Sequence, residues 1–133
     1  MQELLDQLPH PYLVLFPIYY LITIAIETPI LCVGLSSEHP LRRRLLSGIW
    51  LTACTYPLVW FVAPVWFDPI EERIAYLAVA ESIAHFGECA LFYLAFQPRL
   101  HPWRDMAAVF GANLASFGLG EWANYLWFAN GST

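Results

Sequence analysis

Four apolar stretches, at residues 12–35, 45–67, 74–96 and 103–128, dominate this chain of 133 residues. Each matches or exceeds the roughly 20 residues that an α-helix needs to cross the hydrocarbon of a bilayer. The segments between them are short and carry turn chemistry: Ser36-Ser37-Glu38-His39-Pro40, Asp68-Pro69-Ile70-Glu71-Glu72 and Gln97-Pro98-Arg99-Leu100-His101-Pro102. Proline, serine and aspartate in such runs stop one helix and start another. Irregular backbone with unpaired polar groups is not tolerated in lipid. The pattern therefore predicts an all-α fold, a four-helix transmembrane up-and-down bundle with short loops, as one integral membrane domain over residues 1–133. Nothing alternates with the period of a barrel strand. Composition agrees, because 59% hydrophobic against 13% charged residues leaves too little polar surface to coat a soluble domain of this size.

The arginines set an orientation. Arg42, Arg43 and Arg44 lie between the first two stretches, Arg99 and Arg104 between the last two, and Arg73 stands alone at the other end; lysine is absent. The positive-inside rule then places the two arginine loops in the cytoplasm and both termini outside, in a bacterial-type inner or plasma membrane. A net charge of −5 without a basic patch excludes a nucleic-acid partner. The first stretch is expected to remain in the mature protein, since Glu3 and Asp6 replace the basic segment of a signal peptide. Cys32, Cys54 and Cys89 show no metal-type spacing and read as reduced thiols. Trp50, Trp66, Trp103 and Trp127 fall toward span ends as an aromatic belt, with Trp60 and Trp122 deeper, and Gly131-Ser132-Thr133 reads as a loose tail.

Glu27, Glu81, Glu88 and Glu121 fall inside the stretches with no basic residue beside them in sequence. An ionised acid at a helix centre costs about 2.5–3.5 kcal/mol, so these groups are expected to face one another, take up protons, or hold a cation. Glu81, His85 and Glu88 follow i, i+4, i+7 and share a stripe, and Asn113, Phe117, Gly120 and Asn124 form a second one with Glu121 beside it. Counted at about 1.5 Å per residue, Glu27, Glu88 and Asn113 come to one depth, Glu81 and Glu121 to a layer nearer the outside, and His85 between the layers. Thr52, Thr55 and Tyr56 precede Pro57, which frees the Ala53 carbonyl, as Pro29 frees that of Ala25. Thr55, Tyr56 and Pro57 are thus candidate hydroxyl or carbonyl ligands, while Pro17 and Pro64 suggest kinks only. Gly111 with Ala115, and Ala112 with Ser116 and Gly120, have the spacing that lets helices approach, within the bundle or between protomers.

The functional expectation is a proton or cation site of Glu27, Glu81, His85, Glu88, Asn113 and Glu121. It sits in a lipid-embedded protein that assembles as a homo-oligomer or with other membrane subunits. If a metal ion is the occupant, a Glu/His set suits zinc, manganese or iron. The alternatives are an accessory subunit whose protonated acids only fix helix packing, and a haem- or pigment-binding subunit using His85. No GxSxG, HExxH, P-loop or GxGxxG motif occurs, so no enzyme activity is expected.

Overall fold

The computed structural model describes residues 10–130, and side chains over 15–126; Glu3, Asp6, the Trp127 side chain and Gly131-Ser132-Thr133 lie outside the described residues. Among the described residues there are four helices: α1 (His10–Gly34), α2 (Leu41–Trp66), α3 (Arg73–Phe96) and α4 (Pro102–Asn130). Among the described residues α1, α2 and α3 contain stretches long and apolar enough to cross a membrane. The fourth helix, although 29 residues long, carries Arg104, Asp105, Asn113 and Glu121 and is not among them. Each helix packs on two others, α1 on α2 and α4, and α3 on the same pair, which gives a four-cornered arrangement around a common axis.

Two glycines set the closest approaches. A Cβ on Gly48 of α2 would lie 2.9 Å from the Cα of Thr28 in α1, and one on Gly34 would lie 2.9 Å from the Ala108 Cβ of α4. The small residues of α4 divide differently from the spacing argument. Ala112 is buried and Ser116 is turned inward, but Gly111, Gly118 and Gly120 have nothing within 4 Å of where a Cβ would stand.

Pro57 does not break α2. The helix runs from Leu41–Pro57 into a wider π turn, Leu58–Val62, and returns to α geometry over Ala63–Trp66. Pro57 and Pro64 bracket this turn and both lack an N–H, so the carbonyls four residues before them lose their usual donors and the local winding relaxes. The expected kink is therefore a π turn. Helix α3 ends at Gln97, whose backbone is left-handed at φ 43 and ψ 61 and whose N–H donates to the Tyr93 carbonyl at 2.9 Å. Pro98 follows and stops the helix.

At the arginine end the loops lock together. Arg44 donates to the carbonyls of Cys32, Ser36 and His39 at 2.7–3.0 Å, and Arg104 to that of Gly34 at 3.0 Å. Of these acceptors, the Cys32 and Gly34 carbonyls belong to the last turn of α1, where helical donors run out. Glu38 accepts the Arg99 and Leu100 N–H groups at 2.9–3.1 Å, which hold its carboxyl below the usual range. At the opposite end Asp68 does the same for Ile70 and Glu71, and its carboxyl is likewise held low. Cys32, Cys54 and Cys89 are free thiols. Inside the bundle, Leu31, Leu35, Leu51, Phe92, Val109 and Ala112 form an apolar layer in which no residue is more than 1% exposed.

Candidate intramembrane acid site

One helical turn beyond that apolar layer, away from the arginine loops, the interior becomes polar. Glu27 of α1 is 1% exposed and accepts from Thr52 of α2 at 2.9 Å and from Ser116 of α4 at 2.6 Å. Glu88 of α3 is 2% exposed and accepts from Thr55 of α2 at 2.7 Å and from Asn113 of α4 at 2.9 Å. Each carboxylate oxygen thus has one donor, and each acid joins its own helix to the same two neighbours. Buried polar groups require this; left unpaired, each would cost about 1–3 kcal/mol.

The pair borders a cavity of about 110 Å³ whose polar lining is Glu27, Glu81, Glu88, Asn113 and the hydroxyls of α1, α2 and α4. Thr55 and Tyr56 belong to the lining, and Pro57 does not. The Tyr56 hydroxyl is buried, and its ring packs among Phe16, Tyr20 and Trp60. Glu81 stands at the open side, with 28% of its side chain exposed.

Two expected members stand elsewhere. His85 is buried but turned from the cavity: its Nδ1 lies 2.8 Å from the Glu81 carbonyl, and its ring packs edge-on to Phe110 at 4.7 Å. At about 100° per residue, positions 85 and 88 differ by about 60° around the helix, enough to point one at α4 and the other at the bundle axis. The Nδ1 atom also lies 3.5 Å from a Glu81 carboxylate oxygen, so His85 touches the rim of the site through Glu81. Glu121 pairs with Arg73 at 2.6 Å, with side chains 35% and 51% exposed. The view that no base accompanies the intramembrane acids is corrected at this position, where the N-terminus of α3 brings the lone arginine of that end alongside α4. With His85 outside, the polar groups of the cavity lining are carboxylates, hydroxyls and one amide, and the zinc-type donor set expected from Glu and His together is not assembled there.

Sequence reasoning overlooked a second polar centre. Asp105, fully buried in the first turn of α4, accepts the Ser36 N–H at 2.7 Å, the Ser36 hydroxyl at 3.0 Å and the His39 ring at 3.0 Å. Arg43 approaches His39 Nδ1 at 3.3 Å. A guanidinium only donates, so Nδ1 accepts and Nε2 carries the hydrogen that faces Asp105. Glu38, His39 and Asp105 bring ligand-type atoms within 4.8 Å of one another, but each already serves a hydrogen bond across the loops. The signal available in sequence was topological: an up-and-down bundle puts the 36–40 loop and the start of α4 at one end.

Comparison with protein-family models, with curated proteins and with solved structures finds no match to this chain.

Proposed function

We propose that the chain is a four-span integral membrane protein whose work is done by a proton- or cation-binding site built on Glu27 and Glu88, with Glu81 at its mouth. The observation that carries this reading is the convergence of two buried carboxylates, from α1 and α3, on a cavity with no basic side chain in its lining. Acids are costly in hydrocarbon and are retained where they bind or relay charge. The arginine distribution supports both termini on the non-cytoplasmic side of a plasma or bacterial inner membrane. The fourth span is supported by its packing against α1 and α3, with Asn113 and Ser116 turned to the acids while Leu114, Leu119 and Trp122 face outward. The open glycines of α4 leave a face for a second protomer or another membrane subunit.

The test is reconstitution. Vesicles containing the protein are expected to move protons or a cation across the bilayer, and Glu27→Gln with Glu88→Gln to reduce that flux at least tenfold. Flux equal to that of the unaltered protein would overturn the reading.

One observation favours a second reading, an accessory subunit: all four oxygens of Glu27 and Glu88 are hydrogen-bonded to α2 and α4, so the acids also brace the bundle. Under it the same substitutions lower thermal stability without touching transport, and gentle extraction yields stoichiometric partners. A haem or pigment on His85 is not proposed, because the ring is tethered to the Glu81 carbonyl and packed on Phe110.

A further inference from the structure

Hydrogen counting around the acids distinguishes what they hold. Thr52 Oγ1 stands 2.9 Å from Glu27 Oε2 and 2.8 Å from the Gly48 carbonyl. Ser116 Oγ lies 2.6 Å from Glu27 Oε1 and 2.9 Å from the Asn113 carbonyl. Thr55 Oγ1 lies 2.7 Å from Glu88 Oε1 and 3.2 Å from the Leu51 carbonyl. Each hydroxyl has one hydrogen and faces two acceptors. When the acid is ionised, the hydroxyl hydrogen points at it. When the acid is protonated, its single O–H donates to one hydroxyl, which turns its own hydrogen to the backbone carbonyl, the back-bond that helical Ser and Thr commonly make, while the other oxygen goes on accepting. Both charge states are satisfied with every heavy atom in place. Asn113 differs, since its two amide hydrogens serve Glu88 Oε2 and the Val109 carbonyl together, at 2.9 and 3.2 Å. On Glu88, therefore, only the Thr55 side switches.

The cavity is also one-sided. Toward the arginine loops it is closed by Leu31, Leu51, Phe92 and Val109, none more than 1% exposed. In the other direction it reaches Glu81, whose side chain is 28% exposed. The other titratable groups near the pair are Glu81, Tyr56 and the Cys89 thiol beside Glu88, with His85 Nδ1 3.5 Å from a Glu81 carboxylate oxygen; the polar lining from α4 is Asn113 and Ser116, and Glu121 is paired with Arg73 outside the lining. Among the described residues the cavity acids do not form a three-ligand cluster of metal-site dimensions.

Resting on the function proposed above, we infer that the species handled is the proton, that it reaches Glu27 and Glu88 only past Glu81 from the end away from the arginine loops, and that the Thr52, Thr55 and Ser116 hydroxyls accommodate each change of charge by turning in place. The proton leaves a hydronium ion at Glu81, whose O–H bond breaks to give water, and forms an O–H bond at a carboxylate oxygen; release toward the arginine loops, which net flux requires, awaits separation of the Leu31, Leu51, Phe92 and Val109 layer. No electron pair leaves the site and no co-reactant is consumed.

The experiment uses the full chain in uniformly oriented vesicles, with isotope-labelled glutamate followed by infrared difference spectroscopy while pH is stepped on one side at a time. A protonated-carboxyl band is expected to respond to pH at the end away from the arginine loops alone, and to vanish in the Glu27→Gln, Glu88→Gln double variant. Thr55→Val is expected to shift the midpoint by about one pH unit and Thr55→Ser to restore it, because the hydroxyl hydrogen bond favours the charged form. A band responding equally from both sides overturns the one-sided route. Loss of the band at fixed pH on adding sodium or calcium overturns the proton assignment while leaving a cation site standing. Absence of any titrating band, together with absence of flux, ends both readings. Should Thr55→Val fail to fold, thiol labelling decides. With the native cysteines replaced, Val59→Cys and Ala84→Cys are expected to react with an impermeant reagent from the Glu81 end only. Val109→Cys is expected to react from neither side, and reaction from the arginine end overturns the inference.

Discussion

Asp105 takes three hydrogen bonds from a loop that precedes it by 66 to 69 residues, more than either Glu27 or Glu88 accepts. Removing its carboxylate leaves the Ser36 N–H, the Ser36 hydroxyl and His39 Nε2 buried without an acceptor. At about 1–3 kcal/mol for each lost partner, Asp105→Ala is expected to destabilise the protein by about 3–5 kcal/mol, read by denaturation in detergent, and Asp105→Asn by less. An unchanged midpoint would show that the loop rearranges to find water. The contrast with Glu27 and Glu88 explains why those acids were readable and this one was not. A carboxylate inside an apolar run signals its own anomaly, whereas Asp105 sits in a first helical turn where acids are favoured by the helix dipole and attract no question. His85 misled for the opposite reason, since a shared stripe says which quadrant a side chain occupies and not whether it reaches the axis.

Among the elements, hydrophobic run length located the four described helices, with α1, α3 and α4 starting and ending within two residues of the expected bounds and α2 starting four residues before its own. What run length could not supply is the choice of contact face. Gly48 and Gly34 make the tight approaches, while the regularly spaced glycines of α4 look outward. The spacing is the same in both readings, and the difference lies in which residue of the partner helix stands opposite. Gly48→Ala would push a methyl against the Thr28 backbone, so a loss of about 1–3 kcal/mol is expected, whereas Gly111→Ala is expected to be neutral or slightly favourable from helix propensity. Thermal unfolding of the two variants side by side separates them, and equal midpoints would contradict the packing described. The π turn after Pro57 was likewise beyond pattern reading: a proline announces missing donors, but whether the chain bends or widens depends on the neighbours, here α3, whose Tyr76 hydroxyl reaches the Val59 carbonyl at 3.5 Å.

For the whole molecule, five of the six arginines lie at one end, and the entrance proposed at Glu81 faces the other, so under that proposal orientation and access are coupled. Cysteines introduced one at a time into the 36–40 and 97–101 loops of intact cells are expected to be shielded from impermeant reagents, and one at Ile70 to be labelled. The opposite pattern would reverse the proposed topology. The polar interior has a further consequence for biogenesis. Glu27, Glu88, Ser36 and His39 all draw partners from α4, which is synthesised after the other three described helices. A nascent chain holding only the first three of these helices leaves each acid one hydrogen bond short and Ser36 and His39 without their Asp105 acceptor, so it is expected to pack loosely until the fourth is made.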